Sequence, residues 1–303
     1  MATASDKVRR ARPLLGTFVE IEVAGAARPE MDCAVNAAFE AVAHVQRLMS
    51  FHAPDSDVSR LNREAFHRPT GVDPWTFEVL EAAVEMHRRS NGVFDVAVAP
   101  TLQAMGLLPR SADNPPVPAG ARSFDAIELL PGQTVRFRRR DIGIDLGGIA
   151  KGFAVDRALK VLRGFHIPNG LVNAGGDLAA FGPAPQRIHI RDPRDPRRLI
   201  GHVDIANQAL ASTARRFDPF RSAQTTGSAI VDPGTSEPAG AIDGTTVRAP
   251  SCMIADALTK IVMISGTAAH ELLECYDASA LLISVDGEVR ITPDWHRAVH
   301  LAA

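Results

Sequence analysis

Two glycines at the end of an apolar strand, with a lysine three residues on, form the densest chemical signal in the chain: Asp145-Leu-Gly-Gly-Ile-Ala-Lys-Gly152. Gly147 and Gly148 let backbone amides approach an anion, the helix N-terminus near Ala150 adds partial positive charge, and Lys151 adds a full one. The chemistry such a turn serves is phosphate binding. It is neither a Walker loop nor a dinucleotide fingerprint, because the glycine spacings of both motifs are missing. A tight strand-to-helix turn with a surface lysine reads the same residues equally well. Asn173-Ala-Gly-Gly-Asp177 is a second glycine pair at a strand end, closed by an acid; a plain hairpin turn explains it about as well. The third element is Ala255-Asp256-Ala-Leu-Thr259-Lys260 on an apolar helix after Ala249-Pro250. Small residues beside Asp256 let something pack against its carboxylate, and a hard cation such as Mg²⁺ takes that kind of oxygen. The alternative is an exposed Asp256 to Lys260 pair at i, i+4, contributing only ~0.2–0.5 kcal/mol.

Weaker signals surround these three. The loop from Ser50 to Asn62 is capped by Asp55 or Ser56 as it enters a short helix, and its His52 reads either as a ring that stacks on a planar ligand or as a groove filler. Asp95, in Asn91-Gly-Val-Phe-Asp95, reads as a loop-fixing carboxylate. The histidines show no H-E-x-x-H, and Cys33, Cys252 and Cys275 form no C-x-x-C pair, which argues against zinc; without G-x-S-x-G, a serine hydrolase loses its motif. The cysteines are expected to be reduced core thiols. With 33 basic against 35 acidic residues and a formal charge of −2, no global field draws the chain to nucleic acid. No signal peptide, lipidation cysteine or run of roughly 20 apolar residues is evident, so a cytoplasmic protein without a membrane span is expected.

Several elements must position these residues. Residues 14–23 alternate as a half-buried strand; apolar residues recur at three and four from Pro29 to near Ser50, and a second helix runs from 74 to 89, closed by Asn91-Gly92. Residues 110–123 read as an exposed loop, followed by a hairpin turning at Pro131-Gly132. Helices are expected over 150–163, 252–265 and 268–275, short strands around 187–190, 200–205, 229–231 and 245–247, and a closing hairpin, ALLISV-DG-EVRIT. Strands and helices mix without βαβ alternation, which predicts an α+β fold with antiparallel or mixed sheets flanked by helices. Residues 1–13 are expected as a flexible lead-in and 14–303 as a single domain.

Taken together and in order, these segments resemble the ApbE family of FAD:protein FMN transferases from about Leu14 to Gly266. The resemblance is carried by LLGTF, the Ser50 to Asn62 segment, NGVFDVAVAP, DLGGIAKGFAVDRA, LVNAGGDLAAFG, IVDPGTSEP and the AP-x-x-x-x-ADAL run at Ala249 to Leu258. It implies that a threonine or serine hydroxyl of an acceptor flavoprotein attacks the FMN-side phosphorus of FAD and expels AMP, with Mg²⁺ as Lewis acid. By motif, Asp256 and the Ala150 carbonyl would hold Mg²⁺, and Gly147, Gly148 and Lys151 would lie beside the pyrophosphate. Asp177 would sit near the flavin pocket, and His52 stands where the family often has a stacking tyrosine. The chain departs from the pattern at Lys260, where the family usually has threonine, with Thr259 one position early on the helix. Ala229 stands in place of a histidine, and Ser212-Thr213-Ala214 in place of T-S-G. The Lys260 ammonium either repels Mg²⁺ from Asp256 or stands in for it on the phosphates. A non-catalytic FAD-binding protein or an FAD hydrolase of the same family is the alternative reading.

Overall fold

The computed structural model describes residues 7–109, 124–195, 197–215 and 229–302; the loop expected at 110–123 lies outside the described residues. Residues 7–13, expected to be flexible, belong instead to strand β1 (Lys7–Leu14), antiparallel to β2 (Thr17–Ala24). Cross-strand charge explains the pairing: Lys7 meets Glu22 at 2.5 Å and Arg9 meets Glu20 at 2.8 Å. Helix α1 (Arg28–Met49) buries Met31, Val35, Ala38, Val42 and Val45 along one face, the stripe its spacing demands. Ser56 accepts from the Ser59 amide to start α2 (Asp57–Glu64), which leads to β3 (Thr70–Gly71). Asp73 caps α3 (Pro74–Arg89), and Asn91 and Gly92, both at positive φ, end it. After α4 (Ala99–Ala104), the hairpin of β4 (Ile127–Leu130) and β5 (Thr134–Phe137) turns with Gly132 and Gln133 at positive φ.

The central layer is built next. Helix α5 (Ala150–Gly164) precedes β6 (Asn169–Ala174), β7 (Asp177–Phe181), β8 (Gln186–Arg191) and β9 (Leu199–Ile205). Then come β10 (Gln208–Ala214), the short pair β11 (Val231–Asp232) and β12 (Glu237–Pro238), and β13 (Ile242–Ala249). Helices α6 (Cys252–Ser265) and α7 (His270–Cys275) follow, then β14 (Ser279–Ser284), β15 (Val289–Ile291) and β16 (Val299–Leu301). Eight strands form one sheet in the order β1-β2-β6-β7-β10-β13-β14-β15, with every neighbouring pair antiparallel. The α+β expectation holds.

Side chains alternate across that sheet, so its central strands feed two cores. Val19 and Ile21 of β2, Ala179 of β7, Ala209 and Ala211 of β10, Val247 of β13 and Leu282 of β14 join the helices in one large core. Leu178, Ala180, Leu210, Leu281 and Ile283 point the other way, against Ile190, Val203, Val299 and Trp295. The second face is covered by the three-stranded sheet β16-β9-β8. Cys252 is a core thiol as expected, but Cys33 and Cys275 lie on exposed helix faces. The stretch Cys252–Cys275 is long and apolar enough to cross a membrane by length and composition; here it is broken into α6, a 3₁₀ turn and α7, and its apolar window is 56% buried inside the fold.

Candidate functional site

The first turn of α5 crosses the first turns of α6 at Gly152, where backbone meets backbone. A Cβ at Gly152 would overlap the Cys252 carbonyl and sit 2.8 Å from Asp256 Cβ, so no other residue fits the crossing. Close approach lets the Gly152 amide donate to Asp256 Oδ2 at 3.0 Å. Asp156, one turn further along α5, accepts from the Cys252 and Met253 amides at 2.8 and 2.9 Å and so caps α6 from outside that helix. Burial raises the Asp156 pKa to about 6 even though those two amides favour its charged form.

Around Asp256, which has no solvent exposure, two lysines converge. Lys260 Nζ is ion-paired with Asp256 Oδ1, and Lys151 Nζ, ion-paired with Asp177 Oδ2, lies 3.8 Å from the same Asp256 oxygen. Two buried carboxylates and two partly buried ammonium groups thus form one cluster drawn from α5, β7 and α6. Burial pushes the Asp256 pKa up, but Lys151, Lys260 and the Gly152 amide outweigh it and hold the group below its ordinary value. For Asp177, burial and then the Asp256 charge dominate, and its pKa is raised in spite of Lys151. Burial opposes the charge on Lys151, yet Asp177 and Asp256 raise its pKa overall. Among the described residues Asp177 Oδ1 is buried and makes no hydrogen bond.

Above this cluster opens a cleft of about 620 Å³. Lys151, Lys260, Gly147, Gly148 and Gly175 line its polar end, and Val93, Val96, Leu102, Leu107 and Leu108 line an apolar wall. Thr213 and Arg215, from β10 and the residue after it, complete the rim, with Arg215 ion-paired to Asp243. Asp145 and Asp95 also line the cleft. Burial raises both their pKa values, that of Asp95 to about 6, against the Gly147 amide and nearby His52 at Asp145 and the Ala97 amide and His87 at Asp95. As expected, Asp95 fixes its loop, through the Ala97 amide at 2.6 Å.

The residues singled out from the sequence are therefore brought together, His52 excepted. Lys151, Asp177, Asp256 and Lys260 share one cluster, with Gly147 and Gly148 on the cleft wall and Ala150 buried at the start of α5. Thr259 is fully buried behind Lys260, with its hydroxyl on the Asp256 carbonyl at 2.7 Å and on Thr213 Oγ1 at 2.8 Å. It does not line the cleft, yet its hydroxyl also accepts from Lys260 Nζ at 3.1 Å, so it belongs to the cluster beneath the cleft. His52 is exposed outside the cleft lining, edge-on to Phe51, where its charge reaches Asp145. Asp145, Asp156, Thr213 and Arg215 had no role assigned from sequence. Only their partners, up to 97 positions away in the chain, give them one.

Fold and cleft together define a class: an α+β protein whose glycine-walled cleft has two buried lysine–carboxylate pairs beneath it. The model of the ApbE family matches residues 15–283. A relative named FAD:protein FMN transferase from Vibrio cholerae is 29% identical, covering 72% of this chain and 69% of its own length. One of the same name from Treponema pallidum is 27% identical, covering 93% and 85%. Among solved structures, an ApbE protein from Thermotoga maritima superposes with a TM-score of 0.84 at 24% identity over 97% of this chain and 99% of that one. Flavin transferase ApbE from Vibrio cholerae superposes with a TM-score of 0.81 at 25% identity over the same shares. The chain belongs to the ApbE family, and with it to the transferases.

Proposed function

We propose that this protein transfers FMN from FAD to a threonine or serine hydroxyl of an acceptor flavoprotein. The observation that carries the reading is the convergence of the glycine turn before α5 and the helix α6 on one cleft, with Lys151 and Lys260 facing its polar end. A diphosphate suits that end and a flat ring suits the apolar wall. In the reaction the acceptor oxygen bonds to the FMN-side phosphorus, the bond from that phosphorus to the bridging oxygen breaks, and AMP leaves with the oxygen. Charge builds on phosphate oxygens, which the two ammonium charges and the backbone amide of Gly148 would stabilise. Asp95 and Asp145 are the cleft carboxylates that burial makes more basic, and they are suited to take the hydroxyl proton.

The family resemblance carries with it Mg²⁺ on Asp256 and the Ala150 carbonyl. The donor set does not fit that ion. Asp256 Oδ2 is taken by the Gly152 amide and Oδ1 by Lys260, with a second ammonium 3.8 Å away. Among the described residues no three His, Cys, Asp or Glu side chains are grouped to hold a metal.

The test is incubation with FAD and an acceptor domain bearing a suitable threonine, followed by mass spectrometry of the acceptor and assay of AMP. An FMN-sized gain with matching AMP is expected; neither product would overturn transfer. A carboxylate suited to take a proton from an acceptor hydroxyl takes one equally from water, which supports a second reading, an FAD hydrolase. That reading predicts AMP release with an unmodified acceptor.

A further inference from the structure

We propose that the Lys260 ammonium is the resident cation of this cleft, so that the FAD diphosphate meets the charge of two lysines and no divalent metal. The proposal rests on the flavin reading above and concerns which charge the site uses. A fully enclosed carboxylate stays ionised only with compensating charge or donors beside it, and for Asp256 the charge is covalently supplied by its own helix. At i, i+4 on α6 the two side chains share a face, so Lys260 reaches Oδ1 without distorting the helix. Its amine has three hydrogens, and three oxygens receive them: Asp256 Oδ1, Thr259 Oγ1 at 3.1 Å and Thr213 Oγ1 at 3.4 Å. That is an oxygen nest of the sort a hard ion seeks, already filled by a tethered charge.

The glycine turn is shaped to this arrangement. A Cβ built at Gly148 would lie 3.6 and 3.7 Å from Lys260 Cγ and Cε, so the lysine stem packs along the turn and brings its head to the polar end of the cleft. The Lys260 side chain is 17% exposed, enough to meet a ligand but screened from bulk water. A dication entering here would face Lys260 and Lys151 at the same Asp256 oxygen and would have to displace a buried ion pair. Lys260 is thus the residue that sets which cation this chain uses.

The full chain is titrated with FAD, read by flavin fluorescence, in excess EDTA and in millimolar Mg²⁺, and separately with Mn²⁺, read by electron paramagnetic resonance. The wild-type chain is expected to bind FAD with affinities agreeing within about twofold in the two buffers and to bind no stoichiometric Mn²⁺. Lys260→Thr should gain a Mn²⁺ site and an FAD affinity that falls about tenfold or more in EDTA. Stoichiometric Mn²⁺ on the wild type, or a comparable loss of its FAD affinity in EDTA, overturns the proposal even if Lys260→Thr does not fold. Absence of FAD binding in both buffers overturns the flavin reading instead, and the Mn²⁺ titration of the wild type still decides the cation.

Discussion

Asp256 is ionised where water cannot reach it, so its stability contribution and its chemistry have the same origin in Lys260, Lys151 and the Gly152 amide. Asp256→Ala should leave the partly buried Lys260 ammonium without its carboxylate, while Lys151 keeps Asp177, and should cost about 3 kcal/mol in urea unfolding, the range for breaking a buried pair. Asp256→Asn keeps the acceptor for Gly152 and should cost less than Asp256→Ala in the same experiment. If Asp145 takes the acceptor proton, Asp145→Asn should lower kcat by about 10²-fold while FAD affinity stays within about twofold. An equal loss in kcat and affinity would assign it to binding through its bond to the Gly147 amide at 3.1 Å. Lys151, Asp177, Asp256 and Lys260 were legible in the sequence because each sits in a short, dense motif. Thr213 was not, since nothing near it in the chain announces the Thr259 hydroxyl that it meets from 46 positions away.

At the scale of elements, α5 and α6 are fastened by two contacts that a local pattern cannot contain. Gly152→Ala should destabilise by about 1–3 kcal/mol, because the atom in its way is the Cys252 carbonyl of the backbone rather than a movable side chain. Asp156 offers a pH test. Its folded pKa, about 6, lies above the ordinary carboxylate value, so between about pH 4 and pH 6 the folded state binds more protons than the unfolded one. Stability contributed at this site should therefore fall as pH rises through that window, by at most about 3 kcal/mol. Asp156→Asn keeps an acceptor for α6 and should flatten that part of the unfolding-versus-pH profile; an unchanged slope would show that Asp156 does not titrate there. Helices α1, α3, α5 and α6 were readable because a one-sided apolar stripe is a property of one segment. Strand β10 was not, because QALASTA is small and weakly patterned and is a strand only between β7 and β13. The strand β1 was missed for a similar reason: Val8 is its only fully buried residue, and the acids that pair its cations are on β2 and α1.

The whole molecule separates the cleft from a second core across the eight-stranded sheet. Helices and cleft occupy one side, while Trp295, at 0% exposure, fills the space between the other side and the sheet β16-β9-β8. Among the described residues its indole Nε1 is buried without a hydrogen-bond partner, so its contribution is packing alone. Because strand residues alternate, Leu210 faces Trp295 while its neighbours Ala209 and Ala211 face the helices, and one strand transmits support to both cores. Trp295→Ala should thus cost about 3–5 kcal/mol in urea unfolding, as large aromatic truncations do. The polar end of the cleft is fixed by bonds among α5, β7 and α6, none of which involves Trp295. FAD affinity of the folded fraction, measured by flavin fluorescence well below the transition, should stay within about twofold of the wild type. A loss of affinity parallel to the loss of stability would mean that the sheet couples its two faces and that the cleft owes its geometry to the layer behind it.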